Sequence, residues 1–249
     1  MTDQPAIERG LGPEDGADLA GAALALARRF AAGATMWCIA PEVPEHARHV
    51  AVEFVHPVIM GKRALPAVAV DDGDAVRALR ALVGPGDILC AVSTSSDAAV
   101  SEAMVRARVW GLTTVWIGAG TRPDAGAADH VLWVDGPGVD GPGRAAADDG
   151  SLVLRYHVLW ELTHVCFEHP GLLVPDDGAA CATEGTCITC SDEGTLAEVV
   201  TVDVTGAASV RTAVGVEQID VNFVGPVGPG DLVLVHAGTA VAVVEVDAP

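Results

Sequence analysis

Residues 1–174 of this 249-residue chain are predicted to form an α/β domain, a parallel sheet with helices on both faces, and residues 187–249 a small all-β module. Two observations predict this. Short runs that are apolar throughout, such as Ile88-Leu89-Cys90-Ala91-Val92, alternate with helical patterns, and strands apolar on both sides belong to parallel sheets covered on both faces. Beyond residue 186 the chain turns to short Val-rich β segments, after a linker at 175–186.

Residues 14–32 read as an amphipathic helix ended by Gly33, and 35–39 as a buried strand. A helix over 44–55, a strand over 67–70 and a helix over 74–82 follow. Residues 87–92 form a continuous apolar strand, and 98–110 a helix closed by Gly111. Strands at 113–117 and 130–134 precede a turn-prone loop, Gly136-Pro137-Gly138-Val139-Asp140-Gly141-Pro142-Gly143. The last helix covers 151–168 and stops at Pro170-Gly171.

Hydrophobic residues make up 50% of the chain and charged residues only 19%, a balance that fits a compact fold with a sizeable core. The apolar run Ala20 to Ala27 is short and followed by Arg28-Arg29, so no membrane span is expected. The N-terminus places no basic region ahead of an apolar core, so no signal peptide is read and a cytoplasmic location is expected. A net charge of −20, with Lys62 as the single lysine, argues against nucleic acid as a partner. An acidic face could still steer a basic protein partner.

Cys38, Cys90 and Cys166 lie inside apolar elements and read as inert buried thiols. Cys181, Cys187 and Cys190 cluster in a loop, where chemistry is plausible. No second pair follows Cys187-x-x-Cys190 to complete a zinc knuckle, and β-rich sequence stands where a thioredoxin motif would start a helix. A thiolate that transfers a soft metal and an inert loop thiol remain.

Two further sites emerge in the α/β region. Ser93-Thr94-Ser95-Ser96-Asp97 ends a strand and opens a helix, where backbone N–H groups, the helix dipole and hydroxyls suit an anion. His49 and Glu53, spaced i,i+4, project from one helix face and could chelate a divalent metal such as zinc, with His164 of the last helix as third ligand. His56, His130 and His157 have no such spacing and read as ordinary.

Residues from about 19 to 169 resemble the sugar isomerase (SIS) family, most closely its phosphoheptose isomerase branch. The resemblance runs through Leu26-Ala27-Arg28-Arg29-Phe30, Ser93-Thr94-Ser95, Ala107-Arg108-Val109-Trp110-Gly111-Leu112-Thr113-Thr114-Val115 and the last helix. It implies a sugar phosphate gripped by Ser93, Thr94 and Ser95. It also implies metal binding and proton transfer by His49, Glu53 and His164, with Glu53 and His164 catalytic if the chain is an isomerase. The sequence departs from that pattern at Ser96-Asp97 and Ala98, at Ile39-Ala40-Pro41-Glu42-Val43-Pro44, and at Tyr156, where an amide ligand is expected. These departures favour a homodimerising or sugar-phosphate-sensing scaffold over turnover, with Val50, Phe54 and Val58 offering apolar area for the dimer.

Cys187-Ile188-Thr189-Cys190 and the run Val227-Gly228-Pro229-Gly230-Asp231-Leu232-Val233-Leu234-Val235-His236-Ala237-Gly238-Thr239-Ala240-Val241 resemble the HypC/HupF family of [NiFe]-hydrogenase maturation chaperones. That resemblance implies an OB-like β-barrel with Cys187 as ligand of a transient iron complex and His236 as an auxiliary group. It also implies a HypD-like maturation protein and the hydrogenase large-subunit precursor as partners, with no tightly bound cofactor. The expected function is therefore hydrogenase maturation, the alternative a sugar-phosphate isomerase with an accessory β module.

Overall fold

The structure, a computed structural model, describes residues 13–135, 150–174 and 194–245. Helix α1 (Pro13–Ala31) leads into β1 (Met36–Ile39), α2 (Pro44–Val55), β2 (Ala67–Ala69), α3 (Ala75–Leu82) and β3 (Ile88–Val92). Then come α4 (Ala98–Val109), β4 (Thr113–Gly120), β5 (His130–Asp135) and α5 (Ser151–Glu168). Strand β4 runs three residues past its expected end at Ile117, through Gly118 and Ala119 to Gly120. Gly118 reads locally as a breaker, yet it extends the strand because the Trp133 ring lies against it; a Cβ there would come within 2.3 Å of that ring.

The five strands form one parallel sheet in the order β2-β1-β3-β4-β5. Helices α1, α2 and α5 cover one face through Leu26, Phe30, Phe54, Tyr156 and Leu159. Helices α3 and α4 cover the other through Leu79, Val100, Met104 and Ala107, packed on Leu89 and Trp116. With both faces covered, all five residues of β3 are buried. The strand order reverses between β1 and β3, so a crevice opens at their carboxyl ends, where ligands of such sheets bind.

Val50 and Phe54 were expected to supply a dimer face, but both are fully buried against the sheet within this chain. Only Val58, 83% exposed, remains of that set. The i,i+4 pattern that suggested an interface is the helix's own inward stripe.

The second unit comprises β6 (Thr195–Val202), β7 (Ala207–Thr212), β8 (Gly215–Asp220), β9 (Leu232–His236) and β10 (Thr239–Val244). They close a barrel in the order β10-β8-β7-β6-β9. The pairings are antiparallel except β8 with β10, the third and fifth strands, which pair in parallel. This is the expected OB-like barrel. Ala197, Val199, Ala208, Val210, Val233 and Ala240 fill its interior, small enough for five strands to close around them.

The barrel rests on α3 and α4. Leu232 of its outer face, with the half-buried Leu196 and Val244, joins the core that holds Trp110. Glu198, on the same outer face as Leu196, is 2% exposed and receives Arg80 Nη2 and Arg106 Nη1, each at 2.7 Å, on Oε1. Arg211 stacks over the Trp110 ring at 5.0 Å and donates to the carbonyls of Arg80 and Val83. Among the described residues no helix is long and apolar enough to cross a membrane.

Candidate functional site

Two groups of side chains carry the expected chemistry. The first is the β3–α4 turn. Ser93 is buried, its hydroxyl donating to the Thr94 carbonyl and accepting from Trp116 Nε1. Thr94 Oγ1 meets Ser96 Oγ at 3.1 Å. Of the three expected phosphate contacts, Ser95 borders an open cavity, of about 310 Å³, together with Ser101, Trp116 and Arg122.

Asp97 caps α4. Its Oδ1 accepts from the amides of Ala99 and Val100 at 3.0 and 3.1 Å, so a carboxylate of the chain itself holds the donors expected to face a phosphate. Its Oδ2 is buried with no hydrogen-bond partner among the described residues. Burial raises the Asp97 carboxyl above its ordinary value, although the two amides pull it down. Glu42, in the loop after β1, is raised by its own burial and then by the Asp97 charge.

The second group lies between α2 and α5. His49 and Glu53 stand one turn apart on α2, with His49 Nε2 at 3.3 Å from Glu53 Oε1. His157 of α5 closes the set: its Nε2 is 3.4 Å from Glu53 Oε1 and 3.3 Å from His49 Nε2. Tyr156 faces the back of the His49 ring, its hydroxyl 2.8 Å from Nδ1, and His46 packs edge-on against Tyr156.

His164 is not part of this group. Its Nδ1 lies 2.9 Å from the Trp160 carbonyl and its Nε2 3.0 Å from the Arg63 carbonyl, so neither ring nitrogen is free to ligate. His157 and His164 stand seven residues apart on one helical stripe, about 10 Å along the axis, and α2 crosses α5 at the level of His157. The sequence carries the shared stripe but not the crossing point. Tyr156, expected to stand in an amide's place, orients His49 instead.

In the barrel, His236 ends β9 half-buried, and β6 begins with Thr195 paired to Val235, beside it. Cys181, Cys187, Cys190 and the 175–186 linker lie outside the described residues, as does the Gly136–Gly143 loop.

With this geometry in view, the chain is similar to two solved phosphoheptose isomerases. That from Francisella tularensis is 18% identical, with a TM-score of 0.48, over 61% of this chain and 86% of the other. That from Neisseria gonorrhoeae is 21% identical, with a TM-score of 0.45, again over 61% and 86%. No protein-family model matches the chain. No curated protein matches it significantly.

The donor set of His49, Glu53 and His157 fits zinc. Three ligand atoms about 2.0–2.1 Å from a tetrahedral zinc stand about 3.3 Å from one another. The observed edges are 3.3, 3.4 and 3.3 Å. One ligand atom from each of the three residues lies within 4.8 Å of the other two.

Proposed function

We propose that the α/β domain is a divalent-metal unit of the sugar-phosphate isomerase type, with His49, Glu53 and His157 holding the ion between α2 and α5. The equal-sided triangle of ligand atoms carries this reading. Two histidines and one carboxylate match the ligand count of catalytic zinc sites, which keep one position for water or substrate. When bound, the metal would supply Lewis-acid polarisation of a carbonyl or hydroxyl oxygen. Tyr156 holds the Nδ1 edge of His49 and thereby presents Nε2. The test is metal analysis of zinc-supplied protein combined with turnover of sedoheptulose 7-phosphate. About one ion per chain and turnover, both lost in His49→Ala, support the reading. Metal-free protein after zinc loading overturns it.

Hydrogenase maturation is the second reading, favoured by the OB-like barrel whose first strand starts beside His236. Under it, Cys187 carries a transient iron complex and His236 assists. A HypD-like protein and the large-subunit precursor dock there, and the α/β domain serves as a homodimerising scaffold. Cys187→Ala should then abolish hydrogenase activity in cells while the protein's melting temperature stays unchanged. Full activity in that variant would sink the reading.

A further inference from the structure

The amino ends of the strands, opposite the β1/β3 crevice, border a groove of about 950 Å³ between the two units. Three arginines line it in a chain whose net charge is −20: Arg28 and Arg29 from α1, and Arg108 from α4. Ala25 and Ala32 complete the same α1 stripe, and their small side chains leave the space open. Ala213 of the barrel forms part of the rim.

What distinguishes these arginines is their partners. Arg48, Lys62, Arg77, Arg80, Arg106, Arg122 and Arg155 all form ion pairs with carboxylates, and Arg63 and Arg211, which form none among the described residues, lie over the Phe167 and Trp110 rings. Arg28, Arg29 and Arg108 form none among the described residues. Neutral oxygens anchor them instead. Arg28 donates to the carbonyls of Leu172 and Val174, Arg29 Nε to Thr113 Oγ1, and Arg108 to the Gly126 carbonyl. Each guanidinium is thus partly fixed, and none has a carboxylate within ion-pairing distance among the described residues. The one carboxylate in the lining, Asp129, is held by the Thr114 amide and hydroxyl through Oδ2.

We propose that this groove binds a phosphate-bearing small molecule, at a site separate from the Ser93–Ser95 turn and in reach of both units. Guanidinium forks match phosphate oxygens in geometry and charge, and anchored forks lose less entropy on binding. The volume lies at the upper end of the range for small-molecule sites, roughly 300–1,000 Å³, enough for a di- or triphosphate with an organic moiety. The acidity of the rest of the chain opposes binding of a long polyanion, which points to a compact ligand.

Inorganic pyrophosphate titrated into the full chain by calorimetry, in about 0.15 M salt to screen diffuse attraction, tests the proposal. One saturable site per chain is expected, weakened about tenfold or more in Arg29→Gln and in Arg108→Gln, since hydrogen bonds to charged groups are the strong ones. Arg29→Lys keeps the charge but not the fork and should fall between wild type and Arg29→Gln, while Ser95→Ala should bind as wild type. Melting curves would confirm that each variant is folded. No saturable binding at millimolar pyrophosphate, wild-type affinity in both glutamine variants, or loss in Ser95→Ala would overturn the proposal.

Discussion

Trp110 Nε1 donates to Glu198 Oε2 at 2.7 Å, joining the end of α4 to the first strand of the barrel. The same carboxylate takes Arg80 and Arg106 on its other oxygen, and Arg106 also reaches the Gly230 carbonyl. Both oxygens are thereby satisfied in a place that excludes water, which is what makes a buried charge tolerable.

Glu198→Ala should destabilise the protein by about 3–5 kcal/mol, because it strands buried donors. Glu198→Gln should cost less, since its amide oxygen can still accept one of them. Urea denaturation of the full chain checks both; a loss below about 1 kcal/mol for the alanine variant would mean that the contact is not formed.

Gly111 has φ +79, and a Cβ there would lie 2.6 Å from the carbonyl oxygen of Ala213 in the barrel. Gly111→Ala should therefore combine left-handed backbone strain of about 1–2 kcal/mol with displacement of the barrel. Amide exchange should increase along α3, α4 and β6. A melting temperature equal to wild type would contradict the docking described.

His157→Ala should remove the metal with little loss of stability, since the ring is partly exposed. His164→Ala should do the reverse, keeping the metal and costing about 1–3 kcal/mol, because it empties a buried position and removes the ring's hydrogen bonding to the Trp160 and Arg63 carbonyls. Metal analysis beside thermal melts separates them. The opposite pattern would restore His164 as the ligand.

Asp97 titrates above its ordinary value of 3.8 in the folded protein because it is buried. Its contribution to stability is complete below the unfolded value and lost as pH rises through the folded one. Asp97→Asn keeps the cap and removes the charge, so it should equal or exceed wild type at pH 7 and lose that advantage near pH 4. Asp97→Ala should lose about 1 kcal/mol at both. Stability measured against pH would refute this if the asparagine variant were the weaker at pH 7.

The α/β elements were legible because strands covered on both faces carry no polar alternation, as β3 shows residue by residue. The i,i+4 pair of His49 and Glu53 was legible for the same local reason. His157 was not, because choosing between two histidines on one stripe needs the crossing level of α2 and α5. Nothing local to Glu198 marks it as buried. Its signal lay in the neighbouring run Leu232-Val233-Leu234-Val235, apolar on both sides, which means that the barrel's outer face is also covered. The groove arginines carry no sequence signal, because an arginine without an ion pair can be recognised only once every carboxylate has been placed.

The joint between the two units has a consequence for the stretch joining Val174 to Gly194. Leu196, Leu232, Glu198 and Arg211 fasten the barrel to α3 and α4 without it. A tether is required when parts would otherwise drift apart, and here they would not. Proteolysis within this stretch should leave two fragments that elute together. Length and composition there are thus released from the task of connection.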